Sequence, residues 1–281
     1  MRTPTGVHRD KPNAIHELFG TSKAIIGVIH SLALPGSPSY AGASLEELAT
    51  FAVEEAERYA RGGVDGLILE NHGDIPFSKP EDIGPETVAA MAVMAHRVRA
   101  RVELPLGINL LANAAVPALA AAHASGAAFI RVNQWANAYV ANEGIIEGPA
   151  AKAMRYRSWI HAQRIKVFAD VHVKHGAHAI VADRSIPELA RDAEFFDADV
   201  VIATGQRTGN AATIAEISEI AEGTRLPVVL GSGVDVENVG ELLSVADGAI
   251  VASSLKEDGV WWTPVSEPKV AAFMKVVRQL R

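Results

Sequence analysis

The chain has 281 residues, of which 49 % are hydrophobic and 21 % charged, so it can bury a sizeable core. A formal net charge of −7 argues against nucleic acid as a partner, because binding to phosphate backbones requires clustered lysine and arginine. The absence of cysteine excludes disulfides, thiolate metal sites and a cysteine nucleophile. It fits a cytoplasmic protein, and leaves peripheral association with a membrane open.

The first ten residues are polar and lack the apolar segment of a signal peptide. Nowhere does an apolar run reach the roughly 20 residues needed to span a bilayer. We therefore expect no integral membrane segment. The sequence leaves open whether the chain forms a homo-oligomer.

Strand and helix patterns alternate along the chain after a short N-terminal segment. The expected strands are Ala24–His30, Gly66–Glu70, Leu106–Leu110, Ala128–Asn133, Lys166–His172, Asp199–Thr204, Pro227–Gly231 and Gly248–Ala252. Eight strands favour an α/β fold of the (β/α)8 TIM-barrel type over an open doubly wound sheet. Residues 1–281 are expected to form one domain, in which residues 1–22 are an extension that closes the bottom of the barrel.

Helix starts and helix-to-strand joints carry their own signals. Ser44–Glu47, Ser185–Glu188 and Thr213–Glu216 match the capping box, in which a hydroxyl and a carboxylate satisfy the free N–H groups of a first turn. The joints before several strands repeat a small-residue/Asp pattern, as at Gly63–Gly66 and Val245–Gly248. Such a weak repeat is expected of successive βα units.

Two neighbouring strands near the end of the chain finish in very small residues. Gly231, Ser232 and Gly233 follow one strand, and Ser253 and Ser254 follow the next. Small residues let backbone N–H groups approach an anion, and each segment is expected to open toward a helix N-terminus. TIM barrels build phosphate sites after their last two strands, so the sequence predicts a small phosphorylated molecule as ligand.

Polar residues end the other strands, where a barrel directs them into its mouth. Those expected to bind substrate are His30, Asn71, Asn109, Arg131, Asn133 and Thr204. Asp170, His172 and Lys174 form the densest cluster, and their i, i+2, i+4 spacing in an extended strand predicts that they share one face. A carboxylate, an imidazole and an ammonium in contact suit acid–base catalysis. A structural ion-pair ladder is the alternative, and Lys174 has the chemistry for a Schiff base.

Glu70 is a further candidate for a general base, and His72 follows it closely. His72 either assists Glu70 or faces solvent, and His30 is either a site residue or a hydrogen-bonded core histidine. We expect no cofactor and no tightly held metal, because Asp170, His172 and His175 match no zinc spacing. The one metal alternative that stays open is an oxygen-rich Mg²⁺ site using Glu70 or Asp170.

The segment Thr204–Gly209 contains two Thr-Gly pairs around a turn. Such a turn can form an anion-binding nest, to which Gly205 would contribute. Arg207 is a candidate clamp for a phosphate or a carboxylate. Long loops at 31–40, 72–77 and 134–149 are expected on the catalytic face, either as lids or as ordinary crossovers.

These motifs together resemble one family, the BtpA/SgcQ family. The resemblance covers about residues 23–276 and rests on the following stretches: Gly27–His30, Leu34–Pro38, Gly63–Asn71, Gly84–Ala90, Phe129–Asn133, Glu143–Gly148, Phe168–His175, Thr204–Gly209, Gly231–Val234 and Ser253–Gly259. The Asp-Val-His-Val-Lys-His element at 170–175 is specific. The sequence departs from the family at Ser31–Leu34 and Gly176–His178.

The resemblance implies a TIM barrel of the ribulose-phosphate-binding type, and no settled reaction. One hypothesis is an enzyme for a small phosphorylated metabolite, such as a sugar phosphate or a nucleotide-like molecule, with isomerase- or lyase-type acid–base chemistry. The alternative is a non-catalytic factor for biogenesis of a membrane complex such as photosystem I. Some members of the family accompany sugar metabolism, and the fold alone does not choose between these hypotheses.

Overall fold

The strands close into a barrel in the computed structural model, which describes residues 11–205 and 211–281. In chain order the strands are β1 (Ala24–His30), β2 (Gly66–Glu70), β3 (Leu106–Asn109), β4 (Phe129–Val132), β5 (Ala138–Ala141), β6 (Gly144–Glu147), β7 (Lys166–Val171), β8 (Val200–Ala203), β9 (Val228–Leu230) and β10 (Gly248–Val251). Strands β5 and β6 form a separate antiparallel hairpin. The remaining strands are parallel and run around the barrel in the order β1-β10-β9-β8-β7-β4-β3-β2. The expected TIM barrel is confirmed.

Helices alternate with the barrel strands and cover the outside of the barrel. They are α1 (Ala14–Phe19), α2 (Leu45–Gly62), α3 (Pro85–Arg101), α4 (Ala115–Ser125), α5 (Ala150–Trp159), α6 (Ile186–Phe195), α7 (Ile214–Gly223), α8 (Val239–Leu242) and α9 (Glu267–Val277). The three predicted capping boxes are confirmed at the starts of α2, α6 and α7, where Ser44, Ser185 and Thr213 bond the expected glutamates.

The Asp residues of the repeated joints tie neighbouring strands together. Asp65, Asp199 and Asp247 each stand immediately before a barrel strand. Their carboxylates accept hydrogen bonds from Ile25 N (2.7 Å), Val167 N (2.9 Å) and Val228 N (2.8 Å), respectively. Each acceptor satisfies a backbone N–H of the adjacent strand at the bottom of the barrel, which explains why the pattern recurs in the sequence.

The interior of the barrel is filled by apolar side chains at its lower end. Phe129 stacks on Phe168 with ring centroids 4.4 Å apart, and Gly107 leaves room for the Phe129 ring, which would lie 2.2 Å from a Cβ at position 107. Helix α1 adds Ile15 to this cluster, and Phe19 meets the edge of Phe129. The described part of the N-terminal segment therefore packs against the barrel interior and leaves the opposite end for polar groups.

A buried ion pair fixes the chain segment that follows β10. Lys256 Nζ lies 2.8 Å from the carboxylate of Glu55 on α2, and both side chains are almost fully buried. The same carboxylate accepts from Val265 N at 3.0 Å and from Arg58 at 2.7 Å. Burial lowers the pKa of Lys256, and Glu55 opposes that effect. The pair anchors both ends of the loop that carries Trp261 into the mouth of the barrel.

Replacing Glu55 by leucine is expected to lower the free energy of unfolding by about 3–5 kcal/mol, because it leaves the Lys256 ammonium buried without its partner. Urea unfolding measures the change. The double variant Glu55→Leu/Lys256→Met is expected to recover part of the loss. The control Glu46→Ala breaks the exposed pair with Arg97 and is expected to change little. A Glu55→Leu protein as stable as the wild type would contradict the role given to the pair.

Candidate active site

The carboxyl ends of the barrel strands open into a cavity of about 670 Å³. Its walls carry charged or amide side chains from several strands, together with a run of glycines and serines. The former are Glu70, Asn109, Arg131, Asn133 and Lys174, and the latter are Gly231–Gly233, Ser253 and Ser254. Polar groups from separate strands thus meet in one space, which is where TIM-barrel sites lie.

Arg131 is the central charge of this site. Its Nε and Nη2 each donate to Asp170 at 3.0 Å, and its Nη1 donates to Glu70 Oε1 at 3.2 Å. The guanidinium is buried, and burial opposes its charge, but the two carboxylates outweigh burial and raise the Arg131 pKa. Glu70, Arg131 and Asp170 come from β2, β4 and β7, so one planar fork joins three strands.

Glu70 stays ionised because of its neighbours. Burial acts to raise the pKa of its carboxyl group, but Arg131, His30 and His72 outweigh burial and hold that pKa below its usual value. Asn109 also donates a hydrogen bond that favours the charged form. Glu70 therefore presents a carboxylate, and not a carboxylic acid, to the cavity at neutral pH.

Two amide oxygens in the cavity wall are hydrogen-bond acceptors without a donor. Asn109 Oδ1 and Asn133 Oδ1 are buried and have no partner among the described residues. Asn133 Nδ2 is held by Asp170 at 3.3 Å, which fixes the direction of its oxygen. Buried polar atoms are nearly always paired, so these oxygens are suited to accept from hydroxyl or N–H groups of a ligand.

Lys174 lines the cavity, and the pKa of its ammonium group is lowered. Burial and the nearby Arg131 lower its pKa to about 8, although Asp170 and Glu70 oppose the shift. Its backbone N–H donates to Thr204 Oγ1 at 2.9 Å, which fixes the position of the residue. An amine with a pKa near neutrality can exchange a proton in either direction.

The expectation that Asp170, His172 and Lys174 share one face is wrong. Strand β7 ends at Val171, and His172 has a φ of +53°, so the alternation of side chains stops there. The His172 ring stacks on His178 with centroids 3.9 Å apart and lines a small second cavity. Asp170 also borders this second cavity, and both of its oxygens are engaged by Arg131. Of the three side chains, only Lys174 reaches the main cavity.

Three other predicted residues also lie outside the lining of the main cavity. Asn71 uses its side chain on Asp74 (2.9 Å) and on both the N–H (2.7 Å) and the carbonyl (3.2 Å) of Leu111, so it braces loops instead of meeting a ligand. Thr204 holds the backbone of Lys174, and Gly205 follows it away from the cavity. The further nest and clamp residues Arg207, Thr208 and Gly209 lie outside the described residues.

The glycine and serine segments lie where the sequence predicted, but the helices after them differ. After β9 the chain runs through Asp235 and Asn238 to the four-residue helix α8, and after β10 it enters a short 3-10 turn, Ser253–Leu255. Each segment therefore leads into a helical turn as expected, but both turns are short. Ser254 Oγ donates to Val234 O at 2.7 Å and joins the two segments to each other.

The backbone of these segments is arranged for close approach. Gly233 has a φ of +70°, which favours glycine, and a Cβ at Gly231 would lie 2.5 Å from Ile202. Within the described residues, no acceptor takes the backbone N–H of Gly233, Ser253 or Ser254. Since all three residues border the cavity, these donors are available to an anion.

His30 and His72 occupy an aromatic corner of the same cavity. Their ring centroids lie 4.6 Å apart, and Trp261 lies 5.6 Å from His30 and 4.6 Å from His72. His72 is thus packed among rings at the cavity wall, where its side chain is half-buried. With Glu70, the two histidines place one potential ligand atom each within 4.8 Å of one another, the one such group found in the described residues.

Sequence reasoning missed several residues that line the cavity. The segment after β4 forms the β5–β6 hairpin, which brings Tyr139, Asn142 and Glu143 to the rim. Phe77 and Trp261 also line the cavity, and neither was named as a site residue, although Phe77 belongs to a loop that was expected on the catalytic face. The length of the loop after β4 was the one signal in the sequence that this segment could reach the site. Strands as short as β5 and β6 show too little alternation of apolar and polar residues to be predicted.

The closed barrel and its polar mouth define a TIM-barrel protein with a candidate ligand site at the carboxyl ends of the strands. The family model described as the BtpA family matches residues 21–279, and the chain belongs to this family. An uncharacterized protein of Archaeoglobus fulgidus is 43 % identical over 85 % of this chain and 93 % of its own. The photosystem I biogenesis protein BtpA of Synechocystis is 37 % identical over 94 % of this chain and 91 % of its own.

Solved structures with the same fold are far more distant in sequence. Thiamine phosphate pyrophosphorylase from Pyrococcus furiosus matches with a TM-score of 0.57 and 17 % identity over 95 % of this chain and 99 % of its own. Phosphoribosyl anthranilate isomerase from Thermus thermophilus matches with a TM-score of 0.54 and 18 % identity over 92 % and 100 %. These likenesses establish the fold alone. Among the described residues, no helix combines the length and the apolar character needed to cross a membrane.

The low pKa of Lys174 is testable without a known ligand. Because the neutral amine is the nucleophile, trace acetylation of Lys174 is expected to rise with pH around a midpoint of about 8. Mass spectrometry of the peptide that contains Lys174 measures the rate, and a Lys174→Met protein identifies that peptide. A midpoint near ~10.4, the value of a free lysine, would contradict the assigned environment.

Proposed function

We propose that this chain is an enzyme that binds a small phosphorylated metabolite and moves protons on it in an isomerase- or lyase-type step. The observation that carries the proposal is the shared cavity, in which the glycine and serine segments meet the Glu70–Arg131–Lys174 cluster. One part of the cavity has the donors to hold an anion. The other has groups that can take and give protons.

The phosphate would lie against residues 231–233 and 253–254. The backbone N–H groups of Gly233, Ser253 and Ser254 have no backbone acceptor among the described residues. Glycine at 231 and 233 lets the backbone approach the anion closely. Lys174, when protonated, adds a positive charge in the same cavity.

The proton-transfer groups of this proposal are Lys174 and Glu70. Lys174 has a pKa of about 8, and Glu70 is ionised and faces the cavity. Asn109 and Asn133 would orient hydroxyl groups of the ligand through their unpaired oxygens. Arg131 would act indirectly, by holding the carboxylates of Glu70 and Asp170 in place. Asp170 becomes a positioning residue for Arg131, and His172 has no contact through which it would meet a ligand in this cavity.

The names of the solved structures support only the class of ligand that we propose. Thiamine phosphate pyrophosphorylase and phosphoribosyl anthranilate isomerase are both named for phosphorylated compounds. At under 20 % identity they lend no residue roles to this chain. The proposal therefore depends on the cavity of this protein.

Phosphate binding is tested by placing a charge in the site. Inorganic phosphate and ribose 5-phosphate are expected to bind in calorimetry, and ribose is not. Ser253→Asp is expected to weaken binding by at least roughly tenfold, because a carboxylate several ångströms from the phosphate repels it. Ser266→Asp is the matched control, since Ser266 precedes α9 and lies outside the cavity lining. Equal affinity in both variants would refute the phosphate site.

Catalysis is tested by screening phosphorylated metabolites for turnover by mass spectrometry and then comparing variants. Lys174→Met is expected to lower kcat by about 10²–10⁴-fold, the usual contribution of a general acid or base. The exposed Lys152→Met serves as control and is expected to keep full activity. A substrate turned over equally by wild type and Lys174→Met would remove Lys174 from the reaction, and binding without turnover of any compound would favour a metabolite sensor.

A second candidate function is a non-catalytic factor for biogenesis of a membrane complex. The name of the Synechocystis relative is the observation that favours it. Native mass spectrometry of the purified protein separates the two functions. A retained phosphorylated ligand supports the enzyme, whereas a stoichiometric protein partner with no ligand supports the factor.

A further inference from the structure

We propose that His30, Glu70 and His72 form a binding site for one divalent transition-metal ion whose open coordination positions face the cavity. The ion belongs to the class of Zn²⁺, Mn²⁺ or Fe²⁺. This site stands on its own donor atoms and does not depend on the proposed phosphate ligand. With the ion bound, Glu70 would be a metal ligand, and proton transfer would fall to Lys174 alone.

The backbone brings the three donors together. His30 and Glu70 are the last residues of β1 and β2, and they are direct partners in the register of that strand pair. His72 follows two residues later, where the chain turns into a 3-10 segment, His72–Asp74. The potential ligand atoms of the three side chains all lie within 4.8 Å of one another. All three residues line the main cavity.

His30 is fixed in the orientation and tautomer of a metal ligand. Its Nδ1 lies 3.1 Å from the carbonyl oxygen of Trp261, and a carbonyl only accepts, so Nδ1 carries the proton and Nε2 carries the lone pair. A backbone carbonyl on the second nitrogen is the usual support of a metal-binding histidine.

The spacing between His30 and Glu70 suits an ion better than a hydrogen bond. His30 Nε2 and Glu70 Oε2 are 4.0 Å apart, which exceeds hydrogen-bonding distance. Protein ligands lie roughly 2.0–2.2 Å from zinc, so an ion between these two atoms meets both with little movement. The other carboxylate oxygen, Oε1, is held by Arg131 at 3.2 Å, so Oε2 is the oxygen that faces His30.

His72 supplies the independent observation. Its Nδ1 is buried and has no hydrogen-bond partner among the described residues. The ring packs against His30, Phe77 and Trp261, which fixes its plane. An unpaired nitrogen on an imidazole held in one plane is costly to bury, and a metal ion would satisfy it.

The donor set selects the class of ion. Two imidazoles and one carboxylate with open positions suit transition metals, whereas Mg²⁺ prefers an all-oxygen shell with several waters. Asp170 offers no help to a magnesium ion, since Arg131 occupies both of its oxygens. A transition-metal ion here would polarise a ligand carbonyl or hydroxyl in the cavity, or lower the pKa of a bound water.

Calorimetry with Zn²⁺ and Mn²⁺ on EDTA-treated, tag-free protein tests the site, with Co²⁺ absorption as a spectroscopic readout. One ion per chain is expected, with Mg²⁺ at least roughly 100-fold weaker. His72→Phe keeps a ring in the aromatic corner but removes the donor, and is expected to weaken binding by at least roughly 100-fold. The chain lacks cysteine, so thiols add no background.

His123→Ala is the matched control, because His123 is exposed on α4 and far in sequence from the cluster. It is expected to leave the stoichiometry and affinity unchanged. Circular dichroism of metal-free His72→Phe verifies folding, and Glu70→Gln provides a second variant with the same expected loss. Absence of a one-to-one site in the wild type, equal affinity in His72→Phe, or tighter binding of Mg²⁺ would each overturn the proposal. Phosphate titration of the metal-free protein reports on the phosphate site separately.

Discussion

The ion pairs of Arg131 are the interaction on which the polar mouth of the barrel depends. A single guanidinium, buried at 5 % exposure, spans Glu70 on β2 and Asp170 on β7. Without it, the two buried carboxylates would lose the cation to which both are hydrogen-bonded. Its presence keeps Glu70 ionised and, through its own charge, helps to lower the pKa of Lys174. A Cβ at position 231 would lie 2.5 Å from Ile202 and 3.3 Å from Arg131 Nη2, so the residue beside the guanidinium must stay small.

Most of the fold follows from local sequence signals that agree with one another. The barrel strands were predicted to within one or two residues at each end, because continuous apolar runs bounded by Asp or Gly joints have few alternatives. The joints succeed as signals because Asp65, Asp199 and Asp247 perform the same task, the pairing of a neighbouring strand's N–H. The β5–β6 hairpin and the short length of α8 were not predicted, since the pattern of apolar and polar residues in such short elements does not distinguish them from loops.

The candidate site was harder to predict, because it depends on where regular structure stops. Alternation along β7 places Asp170 correctly inward, but the positive φ of His172 ends the strand and turns that ring into the second cavity. Lys174 returns to the main cavity because Thr204 holds its backbone N–H. Asn71 directly follows β2, as a residue of the barrel mouth should, but its side chain is occupied by hydrogen bonds to the backbone of Leu111. No spacing rule in the sequence distinguishes an asparagine that braces a loop from one that meets a ligand.

The proposed anion and the proposed cation would balance each other's charge in the one cavity. Below a pH of about 8, the charges of Arg131 and protonated Lys174 offset those of Glu70 and Asp170, so the cluster is close to neutral. A phosphate monoester carries roughly two negative charges at neutral pH, and a divalent ion carries two positive ones. Either alone leaves an uncompensated charge in a partly buried space, whereas both together restore neutrality. The histidine pair and the glycine–serine segments lie on adjoining strands, since β1 pairs with β10, so each ligand would strengthen the binding of the other.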